Sequence, residues 1–181
     1  IPCADSSRGD GTLRALTRDA GVDVLSFGGT KNGAMLAEAI VVLDPAKAPG
    51  LVYLRKMNMQ LASKMRFMSA QFIALLEGDL WLRSAAHANA MAARLRAAVD
   101  IIDGVQPTQK TESNGVFAIL PEGVADRLRA SFRFYDWNEA TREVRWMCSF
   151  DTTEEDVDSF VAALRDELRR HPDGAAGGQS A

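Results

Sequence analysis

An apolar seam runs through Trp81, Ala85, Ala88, Ala92, Leu95, Val99 and Ile102 at alternating spacings of four and three. Only an α-helix brings such positions onto one face. This is the longest regular stretch of the chain, and its alanine content lets a neighbour pack close against it. Everything else is arranged before or after that helix. Val22–Phe27 and Met35–Leu43 precede it as short apolar runs with the pattern of strands. Val116–Leu120, Phe132–Trp137 and Glu143–Phe150 follow it and read as the strands of a small α+β domain.

Taken in order, Thr12–Ala20 has the pattern of a short helix with Leu13 and Leu16 on one face and Gly21 as its stop. Met35–Leu43 is apolar except for Glu38, which suits a strand buried on both faces in a mixed or parallel sheet, with Glu38 at an edge or end. After the loop marked by Asp44-Pro45 and Pro49-Gly50, a helical stretch is expected to run to Glu77. Its buried stripe is Leu54, Met57, Leu61, Met65, Met68, Phe72 and Leu75, and its methionines read as core rather than partner surface. Gly78 ends it and Asp79 caps the long helix, on which His87 lies off the seam at the surface.

Pro121–Ala130 then forms a helix with Val124 and Leu128 inward. A hairpin around Asn138–Thr141 joins the last two strands. Alternation puts Val144, Trp146, Cys148 and Phe150 on one face and Arg145, Met147 and Ser149 on the other. Thr152 and Glu155 fit a capping box for a final helix burying Val157, Phe160, Val161, Leu164 and Leu168. The expected boundary near Gly78 divides the chain into 1–77, 78–171 and a Gly/Ala/Ser tail, 172–181, with no reason to fold.

Composition excludes several classes of function. The 181 residues carry 21 basic and 24 acidic side chains interspersed, a net charge of -3, so there is no electrostatic footprint for nucleic acid or an anionic membrane. No run approaches the roughly 20 apolar residues that span a bilayer, and the polar Ile1–Gly11 does not have the pattern of a secretion signal. The two cysteines, Cys3 and Cys148, form no CxxC pattern and suit a reducing cytoplasm; with only His87 and His171 besides, no metal site is expected.

Chemistry concentrates in Ser26–Gly33, Ser-Phe-Gly-Gly-Thr-Lys-Asn-Gly, where Lys31 sits on the turn joining two strands. Gly28, Gly29 and Gly33 permit positive φ and close approach of a ligand or second backbone. A lysine amine, with an ordinary pKa of about 10.4, becomes a useful nucleophile when desolvated or covalently linked to a carbonyl cofactor. The order Gly-x-x-x-x-Gly-Lys-[Ser/Thr] of a phosphate loop is absent. By spacing alone, Gly-Gly-Thr-Lys is more often only a turn.

Three ordered blocks carry more. Val22–Asp44 around Gly-Gly-Thr-Lys-Asn-Gly resembles the cofactor-lysine segment of the low-specificity threonine aldolases, members of the aspartate-aminotransferase-like pyridoxal phosphate enzymes. Ser63-Lys64-Met65-Arg66-Phe67 resembles the same family, as does Phe134-Tyr135-Asp136-Trp137 followed by Glu143-Val144-Arg145-Trp146-Met147-Cys148-Ser149-Phe150-Asp151. The likeness extends over about residues 12 to 170.

The resemblance implies an α/β PLP-transferase fold, with part of the large domain followed by a bridging helix and a small α+β C-terminal domain. It implies a lyase that uses pyridoxal 5'-phosphate to cleave L-threonine, allo-threonine and related β-hydroxy-α-amino acids to glycine and an aldehyde. Lys31 would hold the cofactor, with Gly29 and Thr30 beside it, Lys64 and Arg66 would reach its phosphate or the substrate end of a neighbouring subunit, and Arg145 would clamp the substrate carboxylate. A planar guanidinium fork suits that task. A cytoplasmic homodimer or homotetramer is expected. The family's ring-pairing aspartate, ring-stacking group and phosphate loop are expected upstream of Lys31, so this chain is expected to be a C-terminal portion with little activity alone. The alternatives are another β-eliminating lyase or aminotransferase, and a non-catalytic dimer-interface fragment. Stereospecificity and the preferred aldehyde are not legible.

Overall fold

The computed structural model describes residues 11–170. Cys3, His171 and the expected tail therefore lie outside the described residues. Contacts divide the chain into two compact units that meet in sequence at Ala86/His87.

The first unit opens with helix α1, Gly11–Leu16, shorter than the expected Thr12–Ala20. The chain leaves it through hydrogen-bonded turns and Gly21, whose φ is 82°. Strands β1 (Val24–Gly28) and β2 (Glu38–Val42) form an antiparallel pair in which Val24 lies opposite Val42 and Gly28 opposite Glu38. Two expectations fail here. The second strand starts at Glu38 rather than Met35, because the Met35 and Leu36 amides donate to the Gln71 side chain instead of a ladder. Nor is it buried on both faces in a parallel or mixed sheet, since this is a two-stranded hairpin with Glu38 and Ile40 exposed. Glu38 stands at the strand's end and is solvated, as expected.

Helices α2 (Leu51–Met57) and α3 (Met65–Leu76) replace the single helix expected to reach Glu77. The break follows from the backbone: Met59 adopts φ 55°, and the Asn58 amide donates to Leu54 and Lys56 carbonyls to close α2. With the helix interrupted, the stripe loses its common face. Leu75 is buried and Phe72 packs beside it, but Leu54, Met57 and Leu61 are exposed, Met57 by 75%. The methionines of this stretch are thus not uniformly core. Gly78, at φ 79°, separates α3 from α4 (Leu80–Val99).

The second unit fulfils its pattern more closely. Strands β3 (Gln106–Pro107), β4 (Gly115–Ile119), β5 (Tyr135–Asn138) and β6 (Glu143–Met147) form an antiparallel sheet in the order β3-β4-β6-β5. The hairpin between β5 and β6 is present as expected, with a bulge between Asp136 and Asn138. One core joins Ala92, Leu95 and Val99 of α4 to Val116, Ala118, Val144 and Trp146 of the sheet. Helices α5 (Val124–Leu128) and α6 (Glu154–Arg169) complete it with Val124, Leu128, Val157, Phe160, Val161, Leu164 and Leu168. Each fully buried Val or Leu contributes about 1.5–3 kcal/mol. Cys148 joins that core and burial pushes its thiol up to about 11, so it is unreactive at neutral pH. Phe150, placed with Val144 and Trp146 by alternation, is exposed because β6 ends at Met147.

The capping box lies one residue later than the pattern suggested. Thr153, not Thr152, caps α6: its hydroxyl accepts from the Asp156 amide, and the Asp156 carboxylate accepts from the Thr153 amide and hydroxyl. The Thr152 hydroxyl instead accepts from the Ser149 amide, which removes it from the cap. Those two hydrogen bonds, the backbone one first, hold the Asp156 carboxyl below the ordinary aspartate range. The lowered folded pKa contributes stability above the ordinary aspartate range, and this drains away as pH falls through the lowered value. Asp156→Asn is expected to flatten that acid limb of stability, while Thr153→Ala lowers stability by about 1 kcal/mol; urea titrations from pH 2 to 7 measure both.

Candidate functional site

Lys31 stands on a turn fixed from several directions. Gly29 precedes a single 3₁₀ turn, Thr30–Asn32, and Gly33 ends it in the left-handed region at φ 108°. Of the three glycines considered for that conformation, only Gly33 adopts it; Gly29 has φ -97°. The Gly29 amide donates to the Ala37 carbonyl at 2.8 Å, and its carbonyl accepts from Asn32 and Ala34. The Thr30 hydroxyl exchanges hydrogen bonds with the Ala37 backbone at 3.3 and 3.4 Å. The Asn32 amide group donates to the Trp81 carbonyl at 2.9 Å. Thr30 and Asn32 are therefore committed, whereas the exposed Lys31 side chain has no hydrogen-bond or ion-pair partner among the described residues.

Helix α3 braces this turn. Gln71 accepts from the Met35 and Leu36 amides at 2.8 and 3.2 Å and donates to the Leu36 carbonyl. The Phe72 ring lies against buried Gly29, where an added Cβ would stand 3.1 Å from both Phe72 Cε1 and the Ala37 oxygen. The missing side chain at Gly29 thus accommodates the helix. Lys64 and Arg66 lie at the start of the same helix, about 10 and 7 Å along its axis from Gln71 at 1.5 Å per residue. Both are exposed, and neither pairs with a carboxylate among the described residues; Arg66 lies over the Phe67 ring at 4.8 Å. No acid occupies the first turn of α3, so both cations stand at the positive end of the helix dipole.

Arg145 belongs to the other unit. It points away from the core face that Val144 and Trp146 occupy, with Phe117 of β4 and Tyr135 of β5 as its direct partners in register. Its guanidinium lies over the Trp137 ring at 5.1 Å. Its Nε is buried without a hydrogen-bond partner. Among the described residues Arg96, Arg129 and Arg145 are the half-buried arginines. Arg96 is paired with Asp100 at 2.6 Å, and Arg129 with Asp126 and Asp136. Arg145 pairs with no carboxylate among the described residues. A charge partly removed from water without a counter-charge is unfavourable, and a carboxylate ligand satisfies it best.

Against proteins of known function, the chain is 45% identical over 155 residues to the low-specificity L-threonine aldolase of Pseudomonas sp. (strain NCIMB 10558), covering 85% of this chain and 44% of that protein. The corresponding enzyme of Pseudomonas aeruginosa is 43% identical over 151 residues, covering 83% of this chain and 43% of the enzyme. Over most of its length the chain is similar to the low-specificity L-threonine aldolases. It spans less than half the length of these relatives. The solved structure of Leishmania major threonine aldolase superposes with a TM-score of 0.72 at 29% identity, covering 80% of this chain and 43% of that one. The expected α/β fold class of threonine aldolases is therefore observed, in part. No protein-family model matches the chain.

The sequence singled out Lys31, Gly29, Thr30, Lys64, Arg66 and Arg145 but overlooked the residues that hold them. Gln71 carried a detectable signal, as an amide within an otherwise apolar stretch of helix. Asn32 sits inside the quoted lysine segment. Trp137 sits inside the quoted Phe-Tyr-Asp-Trp block, yet only the fold shows what its ring faces.

Proposed function

We propose that this chain carries the cofactor lysine and the carboxylate-binding arginine of an aldolase that converts L-threonine, allo-threonine and related β-hydroxy-α-amino acids to glycine and an aldehyde. The observation that carries the proposal is the contrast within one turn: every neighbouring polar side chain is committed, and the Lys31 amine is not. An accessible amine on a braced turn fits pyridoxal 5'-phosphate. Gly29 and Thr30 keep that turn in place, and Lys64 and Arg66, lacking acidic partners, fit the cofactor's phosphate. When bound, the cofactor supplies an electron sink for the pair released as the Cα–Cβ bond breaks. Arg145 binds the α-carboxylate and so orients the substrate, which is positioning rather than proton transfer.

A homodimer or homotetramer accords with the apolar side chains exposed on α2, among them Val52, Tyr53 and Met57. A cytoplasmic place in glycine formation and threonine breakdown accords with the lack of a CxxC pattern and with the amino acid chemistry. The proposal is tested by product analysis with L-threonine, phenylserine and alanine on protein loaded with pyridoxal phosphate. Glycine with acetaldehyde or benzaldehyde is the expected outcome, in the low yield expected of this chain alone; 2-oxobutanoate from threonine, or pyruvate from alanine, would assign elimination or transamination instead. Arg145→Lys is expected to raise KM for L-threonine on the order of tenfold, because lysine cannot reproduce the bidentate fork.

A further inference from the structure

We infer that Trp137 is a positioning residue, whose ring holds the Arg145 guanidinium oriented to receive a carboxylate. The inference rests on the carboxylate-binding reading of Arg145 and extends it to a residue with no role so far. Ion pairs occupy the forks of the other two half-buried arginines, Arg96 and Arg129, although Arg129 also lies over the Phe134 ring at 4.9 Å. Arg145 is held differently. The carboxylates nearest to it along β5 and β6 are already engaged, Asp136 by Arg129 and Glu143 by the Thr108 hydroxyl. What faces the guanidinium is the Trp137 ring at 5.1 Å.

An aromatic face attracts a cation without neutralising it or taking up its in-plane N–H groups. Stacking therefore fixes the plane of the fork while leaving its edge available, which a protein carboxylate in the same place would not do. Trp137 is itself held. Phe117 meets it edge-on, centroids 5.1 Å apart at 75°. The β5 bulge falls between Asp136 and Asn138, at Trp137, and bulges re-aim a side chain without ending the ladder. Phe117 and Tyr135 flank Arg145 in register on the same sheet, and among the described residues no acid pairs with it.

The test follows the Arg145 Nε–H resonance in ¹⁵N-labelled protein, identified by its disappearance in Arg145→Lys. Trp137 is 52% exposed and outside the core, so substitution there leaves the fold intact, and unchanged urea midpoints verify this. In the unsubstituted chain the resonance is expected to carry a ring-current displacement that Trp137→Phe largely retains and Trp137→Leu abolishes. Glycine, titrated at constant ionic strength beside methylamine as a control without a carboxylate, is expected to move the resonance. The midpoint should stay within about twofold in Trp137→Phe and rise at least fivefold, roughly, in Trp137→Leu.

An equal midpoint in Trp137→Leu overturns the positioning role while leaving carboxylate binding by Arg145 intact. A resonance that glycine does not move, or that methylamine moves equally, overturns carboxylate binding and the inference resting on it.

Discussion

Lys31→Ala is expected to abolish the visible absorption band that pyridoxal phosphate acquires on linking to the protein, while leaving the urea midpoint of the chain essentially unchanged. The two halves of this expectation come from the same geometry. The Lys31 side chain is exposed and makes no hydrogen bond or ion pair with the described residues, so its removal takes nothing from the fold. Surface substitutions of this sort stay within about 0.5 kcal/mol. The backbone of the turn is held by Gly29, Thr30 and Asn32 whatever side chain occupies position 31. Loss of the band with retained stability would assign the link to this amine. A band that persists in Lys31→Ala would move the link to another lysine, and the proposed role of the turn would fall. Removal of a covalent attachment point is all-or-none for the spectrum, which makes this the largest functional change a single substitution here can produce.

The largest stability effect is expected from Phe160→Ala. Phe160 meets Phe132 and Trp146 edge-on, with centroids 5.2 and 5.1 Å away, and Phe134 at 6.3 Å. It is 9% exposed, and truncating a buried phenylalanine costs about 3–5 kcal/mol. That is comparable to the whole stability of a marginal domain, about 5–15 kcal/mol. Unfolding of the second unit, followed by Trp146 emission in urea, should shift to much lower denaturant. Phe67→Ala is the contrasting control: the same residue type, but exposed and in the first unit, with an expected change within about 0.5 kcal/mol. Equal shifts from the two substitutions would show that the aromatic cluster does not govern the stability of its unit.

The second unit was legible because its patterns are locally complete. The seam from Ala88 through α4 to Ile102 just beyond it is buried throughout, and the five inward positions of α6 are all core. There a period of 3.6 meets a sheet with a period of 2 on one covered face, and nothing else competes for those side chains. The α6 cap was displaced by one residue because Thr152-Thr153-Glu154-Glu155-Asp156 satisfies the same rule in two registers, and only the Ser149 amide distinguishes them. The first unit was less legible for a different reason. The stripe from Leu54 to Leu75 keeps its spacing across a break that periodicity cannot detect, since Met59 carries no glycine or proline mark yet takes a positive φ. At the candidate site the lysine and the arginine could be read from chemistry and resemblance. Gln71 stood out only as an amide in a mostly apolar stretch, and neither its role nor that of Trp137 could be read, because those roles depend on partners distant in sequence or on a bulge.

The contact between Phe72 and Gly29 means that the Lys31 turn is not a portable motif. Its shape is dictated by a ring and an amide that arrive some forty residues later in the chain, on α3. A synthetic hairpin bearing Gly-Gly-Thr-Lys-Asn-Gly would reproduce the letters without the placement. Conversely, enlarging Phe72 or shortening Gln71 gives an experimenter a remote handle on where the amine sits, with no change to the lysine or its neighbours in sequence.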